Sequence, residues 1–347
     1  MSNAPYLNTQ QQNHKPMKGV VLHSYNKNII RALLSLKPEE KALRNPDNKE
    51  VVIKMHAAPC NPSDIAFMQG GYNIVKTLPS VMGFEGAGTV VDAGSEATEL
   101  IGKKVSCFVQ DDNDGTWADY LITEKENVIV LKDEMDMDQA ACFTVNPFTA
   151  YGMMEIASVN ESKAIVLNAA GGQVPQFMRA LADEKGMETI NIVRKSETAE
   201  TLKREGVKNV LVETADDFYK KLKSLCHELH ATTAFDAVGG SLTGKMFNAM
   251  PVDSELIIYG GLSNKPVEGL NTLNLIFNQK TIYGFSLPDW KAELYNFNEI
   301  SEYLQNKFID GTLQTKIQGS TPLDNVVKGL RNYIANMSGG KILIKPE

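Results

Sequence analysis

Two kinds of apolar spacing divide this chain near residue 136. Upstream, short runs of strand length recur at 18–24 (KGVVLHS), 50–56 (EVVIKMH), 88–92, 104–109 and 117–122. Pro and Gly punctuate residues 57–96 every few positions. Short strands set this close, with turns between them, predict a compact barrel-like β domain. From Asp136 the pattern turns helical through DMDQAACFTVNPFTAYGMMEIA, interrupted at Pro147. Beyond it strand and helix alternate. Strands are expected at 164–167, 189–193, 209–212, 234–238, 255–259 and 281–285, with helical stretches between them, among them 216–230, 242–250 and 273–277. Such alternation predicts an α/β domain built on a mostly parallel sheet covered on both faces. Another helix within 290–310 and a last strand at 341–345 (KILIK) complete the pattern.

The stretch 164–197 organises the rest. The apolar run at 164–167 meets a small turn, Ala169-Ala170-Gly171-Gly172, and apolar residues then recur at Val174, Phe177, Met178, Leu181 and Ala182. That spacing is the stripe of an amphipathic helix, which Gly186 ends. Strand, glycine turn, helix and strand make one βαβ crossover, whose turn offers backbone N–H groups to an anion at a helix start. The functional reading is a dinucleotide-binding unit, and the plain alternative is a structural crossover. A full fingerprint wants three glycines. Here Gln173 and Pro175 stand about where the second and third would fall, leaving Gly171, Gly172, Gln173 and Val174 as the candidate phosphate turn. The second strand ends at Arg194-Lys195, where an NAD-binding unit carries an acidic residue for the ribose. Two cations there suit a 2′-phosphate, so NADPH is expected ahead of NADH; two solvated basic residues after a strand are the alternative.

Composition narrows the class. The chain has 347 residues, enough for two domains, with 22% charged and 43% hydrophobic residues and a net charge of −7. The acidic balance argues against a general nucleic-acid or anionic-membrane binder. No apolar run approaches membrane-spanning length. Cys60, Cys107, Cys142 and Cys226 lie far apart with no CxxC pair, which fits free thiols in a reducing compartment. Residues 1–17 are polar and lack the apolar core of a signal peptide or the arginines of a transit peptide, so they read as a loose tail and the expected address is cytoplasmic.

Several motifs in order carry a family resemblance. Asn61-Pro62-Ser63-Asp64, the stretch from Leu78 to Gly88 (LPSVMGFEGAG) and Asp236-Ala237-Val238-Gly239-Gly240 together resemble the medium-chain dehydrogenase/reductase superfamily. Gln69-Gly70-Gly71-Tyr72, Gly115-Thr116-Trp117, Asn146-Pro147-Phe148-Thr149-Ala150-Tyr151 and the run from Thr189 to Arg194 are similar to its zinc-free quinone-reductase and 2-enoyl thioester reductase branches. The resemblance implies a GroES-like β-rich domain (18–145 and 286–347) and a Rossmann domain with a doubly wound parallel sheet (146–285). It implies a homodimer, with 281–285 as the edge strand that meets its twofold mate.

The chemistry follows from what is absent as much as from what is present. Catalytic zinc needs thiolate or imidazole ligands. Where zinc enzymes of this superfamily have Cys-His and Gly-His-Glu, this chain has Asn61-Pro62 and Gly83-Phe84-Glu85, with Cys60 one residue out of register. Zinc is therefore not expected, and His227 and His230 read as a solvated helix end. Without a metal the acceptor must already be polarised: an enone, an enoyl thioester or a quinone. Hydride delivery to the β carbon of an enone leaves an enolate that needs a proton donor. Tyr72 occupies the position of the tyrosine given that role in 2-enoyl thioester reductases; the alternative is a loop tyrosine packed on Met68. Asn61 is a candidate for orienting the substrate or the nicotinamide ribose, or else a turn residue. Asn146 and Thr149 fall where the family contacts the nicotinamide end. Gly239, Tyr259, Gly260 and Gly261 follow two later strands, beyond whose carboxyl ends ligands bind. Phe285 and Trp290 either wall a substrate cleft or pack. The expected function is NADPH-dependent reduction of an activated C=C bond, with quinone reduction as the runner-up. A cofactor-binding protein with little catalysis, a redox sensor or structural protein, is the rival from another class.

Overall fold

The computed structural model describes residues 16–346. Most of the expected tail, residues 1–15, lies outside the described residues. Pro16 and Met17, expected to belong to it, instead open the first strand and pair with Ala42 and Lys41.

The first half is strand-rich. It contains β1 (Pro16–Leu22), β2 (Leu36–Ala42), β3 (Glu50–Pro59), β4 (Ser80–Val81), β5 (Glu85–Ala93), β6 (Lys104–Phe108), β7 (Tyr120–Glu124) and β8 (Val128–Val130). In β3 the alternation places Val51, Ile53 and Met55 in the core with Val105, Cys107 and Leu121, while Lys54 and His56 face solvent. Pairing β3 with β5 and β7, and β6 with β5 and β8, wraps these strands around that core. The indole of Trp117, fully buried, donates to Pro59 O at 3.1 Å. A Cβ on Gly83, whose φ is +97°, would stand 2.3 Å from that indole, so only glycine fits the turn.

The second half holds β9 (Ala164–Leu167), β10 (Glu188–Val193), β11 (Val210–Val212), β12 (Thr233–Asp236), β13 (Glu255–Ile258) and β14 (Thr281–Gly284). All are parallel and lie in the order β11-β10-β9-β12-β13-β14. This is the 3-2-1-4-5-6 arrangement of a doubly wound nucleotide-binding sheet. Every residue of β9 and β12 is buried, which explains the unbroken apolar run of β9, while β12 adds Thr233 and Asp236, whose polar side chains are hydrogen-bonded inside. The helix Gln173–Glu184 lays Phe177, Met178 and Leu181 against the helix Asn146–Val159, in one core with Met153 and Ala157. Burying one such phenylalanine contributes about 2–3 kcal/mol. Gly186, at φ +64°, follows the helix and takes the left-handed conformation that ends it.

After β14 the chain returns to the first half. The helix Phe297–Ile309 leads to β15 (Ile317–Pro322), which runs parallel to β16 (Lys341–Lys345). β16 pairs with β3, Leu343 opposite Pro59, so the end of the chain closes the sheet begun near its start. The stretch between the first two expected strands proves to contain the helix Ile29–Leu34 and β2. The sequence of β2, LKPEEKA, has no apolar alternation because it is a half-exposed edge strand carrying Pro38 and charges.

Candidate active site

The carboxyl ends of the parallel strands gather the expected cofactor residues along one edge. A buried polar latch fixes the centre of that edge, where the strand order reverses. Asn168, at the end of β9, donates through Nδ2 to Asp236 Oδ1 at 2.5 Å and accepts from the N–H of Ala237 at 2.8 Å. The same Asp236 oxygen accepts from the N–H groups of Val238 and Gly239 at 2.7 and 3.0 Å, and Thr243 donates to the other oxygen. These bonds hold the turn in which Gly239 and Gly240 have φ of +75° and +67°.

Beside the latch lies the turn from Ala169 to Gly172. Ala170 N–H bonds Ile192 O at 3.0 Å, and Gly172 caps the helix that begins at Gln173. A Cβ on Gly171 would meet Thr198 at 2.6 Å, and one on Gly172 would lie 3.1 Å from Ala169 O. The two glycines are thus required where the chain passes closest to its neighbours. Gln173 does not block the turn with its side chain, which accepts from Lys316 N–H at 2.9 Å and donates to Gln314 O at 3.3 Å. Pro175 is buried in the helix's first turn, where its missing N–H has no intrahelical partner to lose. Arg179 braces the turn from below by donating to Ala170 O at 2.8 Å, and burial pushes its guanidinium down to about 10. Arg194 and Lys195 follow β10, exposed, and neither makes an ion pair among the described residues. Gly260 passes Ala237 so closely that a Cβ would stand 2.9 Å from its carbonyl oxygen. Tyr259 donates its N–H to Asp236 O at 2.9 Å, and Gly261 has open space around it. The edge is a cradle of backbone and glycine with two free cations, and it fits an extended phosphorylated cofactor.

The other end of the site is made of buried side chains. Asn61 caps the helix Pro62–Met68 and is 2% exposed. Its Nδ2 donates to Glu85 Oε2 at 2.9 Å, and Lys341 Nζ donates to its Oδ1. The other Glu85 oxygen accepts from Val145 N–H at 2.8 Å and Thr144 Oγ1 at 3.1 Å. Glu85 is fully buried; burial pushes its carboxyl up, and the bond from Asn61, the nearby charge of Lys341 and the bonds from Val145 and Thr144 oppose the rise. A continuous chain therefore runs from β16 through Asn61 and Glu85 to the start of the helix Asn146–Val159, where Asn146 and Thr149 stand, each 8% exposed. The expected substrate-orienting amide of Asn61 is spent on this junction.

Tyr72 is half-buried. Its ring centroid lies 5.7 Å from that of Phe84, in a cluster that also contains Met68, and its hydroxyl accepts from Gln110 Nε2 at 3.2 Å. The ring packs as the loop-tyrosine reading expects, and the hydroxyl keeps a polar neighbour. Burial raises the phenol, so it carries its proton at neutral pH. Asp64 is fully buried and accepts from Asn61 N–H at 2.7 Å, while its Oδ1 has no hydrogen-bond partner among the described residues; burial raises its carboxyl to about 7. Phe285 and Trp290 both rest on Gly152, where a Cβ would be 2.9 and 2.8 Å from their rings, and Trp290 leans on Tyr151.

The residues that stand where zinc ligands would be do not fit the metal. Asn61 Oδ1 already faces an ammonium, Phe84 offers a ring, and both Glu85 oxygens are engaged by donors. No group of three His, Cys, Asp or Glu side chains gathers among the described residues. Burial pushes up the thiols of Cys60, Cys107 and Cys142, the first near Asp64 and the other two near Glu85, the opposite of what a metal ligand needs. Lys341, Asn168 and Arg179 were not found from the sequence. Lys341 and Asn168 acquire their meaning from contacts far along the chain and Arg179 from the turn nine residues back, and only Asn168, directly after an apolar strand, carried a local sign.

Two family models match the chain, the alcohol dehydrogenase GroES-like domain over residues 47–133 and the zinc-binding dehydrogenase over 174–305. The mitochondrial enoyl-[acyl-carrier-protein] reductase of Arabidopsis thaliana is 31% identical over 315 residues, covering 86% of this chain and 80% of that protein. The chain belongs to the medium-chain dehydrogenase/reductase superfamily. Within it, the chain falls in the zinc-free quinone-reductase and enoyl-reductase branch, and it is an oxidoreductase. The human mitochondrial enoyl-[acyl-carrier-protein] reductase is 31% identical over 268 residues, 74% of this chain and 68% of that one. A crystal structure of a protein assigned as an NADPH:quinone reductase, from Mesorhizobium loti, superposes with a TM-score of 0.90 at 32% identity, over 95% of this chain and 98% of the other. The Etr1p/Etr2p heterodimer of Candida tropicalis, a mitochondrial 2-enoyl thioester reductase, shares the medium-chain fold with a TM-score of 0.77 at 22% identity, over 95% and 100% of the two chains.

Proposed function

We propose that this medium-chain oxidoreductase uses NADPH to reduce an activated C=C bond, in an enone or enoyl thioester, without zinc. The observation that carries the reading is the pairing of a glycine cradle and two unpaired cations at one end with a protonated, half-buried Tyr72 at the other. In this reading residues 146–285 hold the cofactor, and 18–145 with 286–347 supply the catalytic side. Gly171, Gly172, Gln173 and Val174 take the pyrophosphate through backbone N–H groups, with Gly239, Tyr259, Gly260 and Gly261 lining the same edge. Arg194 and Lys195 take the 2′-phosphate, as a planar fork and a point charge. Asn146 and Thr149 border the nicotinamide end, and Phe285 and Trp290 back the cleft from Gly152. When bound, the nicotinamide supplies the hydride. As the β carbon gains it, the π pair of the C=C bond moves toward the carbonyl, and Tyr72 gives its hydroxyl proton to the α carbon. Asn61, held by Lys341 and Glu85, positions the catalytic side against the helix that starts at Asn146.

Fluorescence titration with NADPH and NADH, followed by NADPH oxidation over enones and quinones, tests the reading. Tight NADPH binding with turnover of enones is the expected result; binding without turnover would select the cofactor-binding rival. The Mesorhizobium loti neighbour favours quinone reduction as a second reading, and Tyr72→Phe separates the two because a quinone needs no carbon-bound proton. A homodimer is part of the proposal. β14 is an edge strand with Tyr283 exposed, and the adjacent helix Thr272–Phe277 presents Leu273, Ile276 and Phe277 at 58%, 60% and 73% exposure. No helix among the described residues is long and apolar enough to cross a membrane. We keep the cytoplasm as the proposed address, against the mitochondrial one in the names of the relatives; cell fractionation separates the two.

A further inference from the structure

Three lysines are buried among the described residues, and each has an oxygen. Lys76 Nζ donates to Asn113 O at 2.5 Å, Lys280 to Phe247 O and Met250 O at 2.8 and 2.6 Å, and Lys341 to Asn61 Oδ1. Lys291 differs. It follows Trp290 on the helix Leu287–Ala292, and its half-buried ammonium lies over three phenylalanine rings. The centroids are 4.8 Å away for Phe297, 5.8 Å for Phe108 and 6.0 Å for Phe148. Among the described residues nothing hydrogen-bonds to it and no carboxylate pairs with it. Burial pushes the ammonium down, with no acidic neighbour opposing.

Ring faces attract a cation but leave its three donors unfilled. A partly desolvated ammonium without an oxygen is costly, and the cost is recovered when an oxyanion arrives. The position indicates which oxyanion. Phe148 stands between Asn146 and Thr149 on the first turn of the helix at the nicotinamide end. Phe108 ends β6, and two residues on the Gln110 amide meets Tyr72. Lys291 thus sits where the two ends of the proposed cleft converge, away from the phosphate turn at Gly171.

We propose that Lys291 is a specificity-determining residue that receives a fixed negative charge carried by the hydride acceptor. This rests on the reductase reading and names the acceptor class within it: anionic activated alkenes over neutral ones. The charge has two chemical sources, a phosphate on the carrier arm of a thioester or a carboxylate on the acyl part.

Two matched pairs separate these sources: a 2-enoyl-CoA against the N-acetylcysteamine thioester of the same acyl group, and an enone carboxylate against its methyl ester. Wild type prefers the charged member of at least one pair. Lys291→Met keeps the apolar stem over the rings and lowers kcat/KM for that member about tenfold or more, chiefly through KM, the value of a charge-assisted contact. The neutral partner changes less than about twofold, the NADPH dissociation constant is unchanged, and Lys291→Arg retains most of the preference. Loss in the CoA pair assigns the phosphate, and loss in the other pair the carboxylate. Equal loss for charged and neutral members, or none, overturns the proposal. If Lys291→Met does not fold, Lys291→Arg and Lys291→Gln are compared for inhibition of neutral-enone reduction by free CoA and by a saturated carboxylate analogue. Loss of inhibition in Gln but not in Arg supports the proposal, and equal inhibition in both overturns it. Wild type that binds NADPH yet reduces none of the four acceptors refutes the reductase reading itself, and this inference falls with it.

Discussion

The two ends of the proposed cleft are built on opposite plans. At the cofactor end the contacts are backbone turns after β9, β10, β12 and β13, and the charged side chains, Arg194 and Lys195, stand free in solvent. At the reacting end the polar groups are buried and mutually saturated: Lys341 holds Asn61, Asn61 holds Glu85, and Glu85 holds the start of the helix Asn146–Val159. An open backbone cradle suits a ligand that enters and leaves whole. A saturated buried network suits a geometry that must not change between turnovers. Substitutions at the first end should therefore alter affinity with little cost in stability, and substitutions at the second should alter rate or stability with little effect on cofactor affinity.

The largest effect is expected at the cradle. Gly171→Val drives a side chain into Thr198 and over the helix start, and should weaken NADPH binding by about 100-fold or more, the loss of at least two phosphate contacts. Isothermal titration with a parallel thermal melt checks it, the melt reporting separately the cost of the clash with Thr198. At the reacting end, Tyr72→Phe should lower enone turnover by about 100-fold, the usual share of a positioned acid, with quinone turnover and NADPH affinity nearly unchanged. Replacing Lys341 by Met strands Asn61 Oδ1 and leaves the Glu85 carboxylate without its nearby cation. The expected cost is about 3 kcal/mol in chemical denaturation. Arg194→Ser with Lys195→Ser should shrink the NADPH-over-NADH preference about tenfold or more while leaving NADH affinity in place.

The last effect concerns pH. Asp64 titrates near 7 in the folded chain and near 3.8 as an ordinary aspartate, so between these values the folded state binds more protons than the unfolded one. Its contribution to stability therefore falls as pH rises from about 4 to about 7, and the full cost is carried above that window. Asp64→Asn keeps an acceptor for the Asn61 N–H and removes the titration. Relative to wild type, its melting temperature should gain more at pH 8 than at pH 5; parallel profiles would contradict the assignment.

The contrast also explains what could be read from the sequence. The parallel sheet was legible because its central strands β9 and β12 are buried on both faces and its helices carry a one-sided stripe; its first strand, 164–167, was read to the residue, as was the chain's last strand, 341–345, in the other sheet. Pro147, read as an interruption, instead stands in the first turn of the helix Asn146–Val159, where proline is tolerated. Gly171, Arg194 and Gly239 were legible because they lie next to strands that could be recognised. Asn61 and Glu85 were found through motifs, but their bonding partners were not. Lys341 lies 280 positions from Asn61, and no local pattern reports that β16 will pair with β3. Lys291 was hidden for the same reason, since its three rings come from three separate segments.

The central claim is metal-independent hydride transfer from NADPH to an activated alkene with Tyr72 as proton donor. It is tested most directly by following NADPH oxidation with chelator-dialysed protein over a neutral enone and a quinone, for wild type and Tyr72→Phe. The account predicts that wild type reduces the enone without added metal, and that Tyr72→Phe loses enone reduction while keeping any quinone reduction. Enone turnover that needs added zinc, or that survives unchanged in Tyr72→Phe, would contradict it.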